Sequence, residues 1–144
     1  MQQFKGRVVV PGTCTAEALV SHGGFNTLAS YQMAMMFGDK QVKCGDQNNP
    51  DIYRKPMIGK ALCLPQTIGS TTGGMVLYCA KSMDRTPACM LFSEHIDSLA
   101  AAGAILSEVW TDGRCLDRQQ NARGGLPGRR IFAICADRHD RHRG

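Results

Sequence analysis

The stretch that decides the fold runs from Gly59 to Phe92 and reads GKALCLPQTIGSTTGGMVLYCAKSMDRTPACMLF. Ala61 to Pro65 is a short apolar run after Gly59-Lys60, as expected of a buried strand. Gly69-Ser70-Thr71-Thr72-Gly73-Gly74 then breaks the pattern with glycines and hydroxyls, which marks a turn. Met75 to Met83 is an apolar segment of helix length, Pro87 ends the connection, and Ala88 to Phe92 is a second strand-length run. A strand, a helix and a strand joined this closely imply parallel pairing through a right-handed crossover.

Working outward, Ser93 is the expected N-cap of a second helix, with Glu94 and Asp97 in its first turn. Ile96, Leu99, Ala100 and Gly103 recur at helical spacing, and Ile105 to Trp110 reads as a third strand. The order is therefore β-α-β-α-β. Toward the N-terminus, Arg7 to Val10 is strand-like, Pro11-Gly12 is a turn pair, and Ala16 to Val20 continues extended. Leu28 to Phe37 fits a short helix by propensity, or an irregular loop with Met33, Met35 and Met36 as core filler. Lys43 to Tyr53 is polar and turn-rich and reads as a loop. Together these elements predict a mixed α/β domain rather than a pure doubly wound sheet.

The 144 residues suit one domain of ordinary globular composition, 43% hydrophobic and 20% charged. No apolar run has the length of a membrane helix, and the first residues do not resemble a signal peptide, so the expected compartment is the cytoplasm. Seven cysteines stand ten or more residues apart without a CxxC pair, which speaks against a zinc ribbon, a redox motif or a disulfide framework. The net charge of +5 is confined to the C-terminal part: from Arg114 onward eight arginines face three aspartates, and residues 1–113 are neutral. A nucleic-acid-binding face would place basic residues on the body, so no nucleic-acid partner is expected. The reading divides the chain into a domain at 1–113 and an Arg-rich segment at 114–144. The segment should add little to the core, Ile131 to Cys135 being its one candidate strand.

The turn at 69–74 carries the chemistry. A helix start leaves backbone N–H groups unpaired and bears partial positive charge, while glycines admit a ligand closely. Such a turn can hold a carboxylate or phosphate. It is not a P-loop, which needs a lysine here, and it does not match G-x-S-x-G. The plain structural alternative is that Ser70, Thr71 or Thr72 caps the helix.

Five ordered segments, GRVVVPG, EALVS, IGKALCLP with GSTTGG, TPACMLFSE and LAAAGAILSEVW, resemble the aconitase X swivel domain over about residues 5–110. The resemblance implies an aconitase-type swivelling domain with mixed β-sheet layers. It implies a small subunit, inactive alone, that forms a heterodimer with an aconitase X large subunit. That large subunit would hold the iron or iron–sulfur cluster, with no cofactor bound by this chain. The implied activity is that of a hydro-lyase on a small carboxylate substrate, cis-3-hydroxy-L-proline in bacterial members and 5-phosphomevalonate in archaeal ones. The family's catalytic serine turn falls on Gly69-Ser70-Thr71, so Ser70 takes the role of base, and Gly69, Thr71, Thr72 and Gly73 that of substrate contacts. Many relatives carry Gly-Arg-Gly-Ser-Ser where this chain has Gln66-Thr67-Ile68-Gly69-Ser70-Thr71, so the exact substrate is not carried over with the resemblance. The expected substrate is cis-3-hydroxy-L-proline or a related one, ahead of phosphomevalonate. The family's closing strand after a Gly-Asp turn is replaced here by the Arg-rich segment, so nothing is carried over beyond Trp110.

His22, beside Gly23-Gly24, and His95 are the rival general bases; His139 and His142 lie in the basic segment. A competing function class is a stand-alone domain that holds a small anion at 69–74 without turnover. Homo-oligomerisation of the isolated chain is left open.

Overall fold

The computed structural model describes residues 6–10, 14–69, 71–110 and 131–135, the stretches 108–110 and 131–135 by their backbone. Its elements are β1 (Gly6–Val10), β2 (Ala18–Val20), β3 (Phe25–Asn26), α1 (Thr27–Met36), β4 (Ala61–Ile68), α2 (Gly73–Ser82), β5 (Cys89–His95), α3 (Ser98–Trp110) and β6 (Ile131–Cys135). The sheet order is β1-β6-β5-β4-β2, and β3 pairs with the far end of β4. β2, β3 and β5 run parallel to β4, β6 runs parallel to β5, and β1 is antiparallel to β6. The expected mixed α/β architecture is therefore present. β1 and β2 are neighbours in sequence, yet they lie at opposite ends of the sheet.

Alternation builds the core. Leu62 and Leu64 on β4 and Met90 and Phe92 on β5 are buried two residues apart, as one face of a strand requires. They join Leu77 and Ala80 of α2 and Ala100 and Ala104 of α3 in one cluster. Burying each large side chain contributes about 1.5–3 kcal/mol. α2 stops where Asp84 takes a left-handed φ of 54°, and the Asp84 and Arg85 N–H groups donate to the carbonyls of Lys81 (3.0 Å) and Ala80 (2.8 Å). This pair of bonds satisfies carbonyls that the helix end leaves open.

α1 is a helix, because Asn26 accepts a hydrogen bond from the Ala29 N–H (3.1 Å) and Tyr31 and Ala34 anchor it in the core. Met33 and Met36 are exposed rather than core filler. Residues 43–53 form a loop, as expected, but the surrounding segment buries Val42, Cys44, Ile52 and Met57 completely or nearly so.

Two expectations are corrected. Ser93 and Glu94 are exposed residues of β5, whose pairing with β4 continues to His95 opposite Gln66. The cap of α3 is Asp97, whose Oδ1 accepts from the N–H groups of Leu99 (2.9 Å) and Ala100 (3.0 Å). Ile105 to Trp110 continues α3 and is no strand. The alanines at 100–102 and 104 carry the helix through, and Gly103 serves a close helix contact instead of ending it. The third parallel strand is β6, which sits inside the sheet between β5 and β1. Ile131 to Cys135, the candidate strand of the Arg-rich segment, is thus a strand of this sheet.

Candidate functional site

Parallel pairing fixes where the site lies. β3, β4 and β5 point the same way, so their C-terminal ends reach one edge of the sheet, and α1, α2 and α3 each begin there. Gly69 follows the last residue of β4 with a φ of 109°, a conformation that a side chain would strain. A Cβ at Gly69 would also come 3.0 Å from the Asn26 side chain, the group that caps α1. Asn26 therefore links the start of α1 to the turn after β4. A Cβ at Gly73, the buried first residue of α2, would stand 3.6 Å from Thr27 Oγ1, so the starts of α1 and α2 lie side by side.

The three helix starts differ in charge. α3 is closed by the Asp97 carboxylate, which complements its dipole. α1 is capped by a neutral amide and has no acid in its first turn. α2 also has no first-turn acid, and Thr72, its N-cap residue, makes no side-chain capping hydrogen bond. Two neighbouring helix N-termini thus present partial positive charge to the 69–72 turn with no carboxylate in their first turns to offset it. This arrangement suits a carboxylate or phosphate.

Thr71 and Thr72 are exposed on this edge, and Gly69 and Gly73 shape the turn at its two ends. Ser70 lies outside the described residues. Thr67, two residues before Gly69, is a site-supporting residue that the sequence did not single out. Its hydroxyl donates to Asp97 Oδ2 (2.5 Å) and accepts the Asp97 N–H (2.8 Å), tying β4 to the start of α3. Burial raises the Asp97 pKa, but hydrogen bonds from Thr67 and the Ala100 and Leu99 N–H groups together hold it below the ordinary carboxylate range.

The rival histidines are both exposed. His22 Nδ1 lies 3.1 Å from Asp51 Oδ2, which also accepts the His22 backbone N–H at 2.6 Å. Its turn is anchored by buried Ser21 and Asn49 (2.8 Å), and Gly24 presses on Ile68, where a Cβ would meet Cγ2 at 2.7 Å. Lys60 pairs with Glu17. A cavity of about 760 Å³ lies between α1 and residues 39–54, lined by Met33, Phe37, Lys43, Cys44 and Arg54 among others, and the 69–73 turn takes no part in it. Among the described residues, no three His, Cys, Asp or Glu side chains converge on one point, and no helix is long and apolar enough to cross a membrane.

These features define a mixed α/β domain that brings the Gly69–Gly73 turn and two helix starts without first-turn acids to one end of its sheet. The aconitase X swivel domain model matches residues 3–114, and the chain belongs to that family. It is 28% identical over 107 residues to the phosphomevalonate dehydratase small subunit of Thermococcus kodakarensis, covering 74% of each chain. Its identity to the protein of the same name from Methanosarcina mazei is 30% over 107 residues, 74% of this chain and 69% of the other. In fold it is similar to the crystal structure of Thermococcus kodakaraensis aconitase X in its holo form. The TM-score is 0.65 at 22% identity, over 91% of this chain and 78% of that one.

Proposed function

We propose that this chain is the small subunit of an aconitase X-type hydro-lyase and dehydrates a small hydroxy acid only when assembled with a large subunit. The observation that carries the reading is the pair of helix starts without first-turn acids at the Gly69–Gly73 turn, within a chain whose family match spans that turn. The curated relatives make 5-phosphomevalonate the first substrate to test, ahead of the cis-3-hydroxy-L-proline expected from the sequence. A phosphate or a carboxylate suits the positive end of a helix.

In this reading Ser70 is the base. A serine hydroxyl is a poor base until its alkoxide is stabilised, and the neighbouring backbone N–H groups and α2 dipole supply that stabilisation. Ser70 takes the proton next to the carboxylate, the C–O bond to the neighbouring hydroxyl breaks as the C=C bond forms, and the hydroxide leaves as water with a proton. Thr71, Thr72 and Gly73 hold the substrate's anionic group through hydroxyl and N–H donors. Iron or an iron–sulfur cluster on the large subunit supplies the Lewis acid. The second reading, a stand-alone anion-holding domain, draws on the same helix starts, which need no other chain to bind an anion.

The test is co-expression with the large subunit and turnover assays on 5-phosphomevalonate and cis-3-hydroxy-L-proline. The complex should dehydrate one of them, the isolated chain neither. Ser70→Ala should lower the rate about 10²–10⁴-fold. Near-normal turnover in a folded Ser70→Ala complex would remove the base assignment, and turnover by the isolated chain would remove the subunit reading.

A further inference from the structure

The cavity beside α1 shares no residue with the Gly69–Gly73 turn, and the proposed reaction gives it no part. Its volume of about 760 Å³ falls within the ~300–1,000 Å³ of small-molecule sites. α1 supplies one wall, where Met33 and the C-cap residue Phe37 leave large apolar side chains 53% and 72% exposed. The 39–54 segment supplies the other, with Lys43, Tyr53 and Arg54. The acids of this wall are already engaged. Asp39 accepts the Lys43 N–H (3.0 Å) and the Gln41 N–H (2.9 Å), bonds that hold its carboxyl below the ordinary range. Buried Asp46 accepts the Asn48 N–H through Oδ1 (3.0 Å). Among the described residues, neither Lys43 nor Arg54 forms a salt bridge.

Arg54 is held in place on this wall. Its guanidinium carbon stands 5.4 Å from the centroid of the Tyr53 ring, and its Nε donates to the Tyr53 hydroxyl (3.3 Å). Its backbone takes a left-handed φ of 59°, uncommon outside glycine, and its N–H donates to the Cys44 carbonyl (2.8 Å). Non-glycine residues kept in that region gather at ligand clamps and active sites. We propose that the cavity is a ligand site for a small organic anion with an apolar or aromatic body. Lys43 and Arg54 take its carboxylate or phosphate, and Met33 and Phe37 flank its body. Two cations on one wall and two apolar side chains on the other match such a molecule in charge and in polarity. The site does not depend on the reading of the Gly69–Gly73 turn.

Phenyl phosphate is the probe, and inorganic phosphate and benzyl alcohol represent its two halves. Each is titrated into the isotope-labelled full chain while the backbone amide resonances are followed by NMR. Phenyl phosphate should shift the amides of residues 43–46 and 53–54 saturably and bind more tightly than either half. Lys43→Gln and Arg54→Gln should each weaken it about 10-fold, the scale of one hydrogen bond to a charged group, with the melting temperature kept. Lys55→Gln, at a neighbouring exposed lysine outside the cavity, should leave the affinity unchanged. The absence of a saturable shift at 43–54 overturns the site, as does binding no tighter than that of inorganic phosphate. Unchanged affinity in the Lys43→Gln, Arg54→Gln double variant overturns it too. Shifts confined to Gly69, Thr72 and Gly73 would assign the probe to the turn and overturn the site equally.

Discussion

Gly74 and Gly103 bring the backbones of α2 and α3 into direct contact: a Cβ on Gly103 would overlap the Gly74 carbonyl oxygen and Cα, and one on Gly74 would overlap the Leu99 carbonyl oxygen. The obstructing atoms are backbone, so no side chain can swing away to make room. Gly74 is the second residue of α2, so the contact also fixes how that helix start stands over the candidate site.

Gly103→Ala should therefore destabilise the protein despite alanine's better helix propensity. Overpacking of this kind costs about 1–3 kcal/mol. Gly74→Ala should cost a similar amount, and the double variant less than the sum, because both press on one contact. Urea unfolding of the three variants measures this, and a stabilised Gly103→Ala would contradict the packing.

Asp97 predicts an acid-labile contribution. Its carboxylate titrates lower in the folded chain than in the unfolded one. Stability from it is thus complete above the unfolded carboxylate pKa of about 3.9 and is lost as pH falls through the depressed folded value. Asp97→Asn should flatten that part of the stability–pH curve below about pH 4. At neutral pH, Asp97→Ala should cost about 0.5–2 kcal/mol for the lost cap. Thermal melts between pH 2.5 and 7 compare the variants, and parallel curves would refute the assignment.

Thr72 and Ser70 should separate binding from proton transfer. Thr72→Val removes a hydroxyl beside the start of α2, a helix that the Thr72 side chain does not cap. In the assembled enzyme it should raise KM more than it lowers kcat, whereas Ser70→Ala should lower kcat. Steady-state kinetics on the two complexes decides this, and a kcat loss in Thr72→Val equal to that of Ser70→Ala would merge the roles.

Truncation after Gly113 removes β6, which is hydrogen-bonded to both β5 and β1. The shortened chain should lose far more than the few degrees of melting temperature that ~1 kcal/mol represents in a domain of this size. β5 would become an exposed parallel edge and β1 would have no ladder. Retention of the full melting temperature would show that the sheet holds without β6.

The local pattern of the chain located β4, α2 and β5, but it ended the strands at Pro65 and Phe92, and their mutual pairing carries them on to Ile68 and His95. The Gly69–Gly73 turn was legible because a strand end, glycines and hydroxyls in that order are a local signature of a helix start. What local pattern could not decide depended on partners distant in sequence. Ile105 to Trp110 has strand-like composition, and only the Gly74–Gly103 contact shows why the glycine before it continues a helix. Ser93 is a good cap by type, but the pairing of His95 with Gln66 keeps it in β5 and passes the role to Asp97, held by Thr67. The alignment of the starts of α1 and α2 across Asn26, Thr27, Gly69 and Gly73 joins residues more than forty positions apart. Residue types set which segments can be helix or strand; parallel pairing in three dimensions decided which of their ends meet, because a helix start gathers charge and neighbours only where the sheet delivers it.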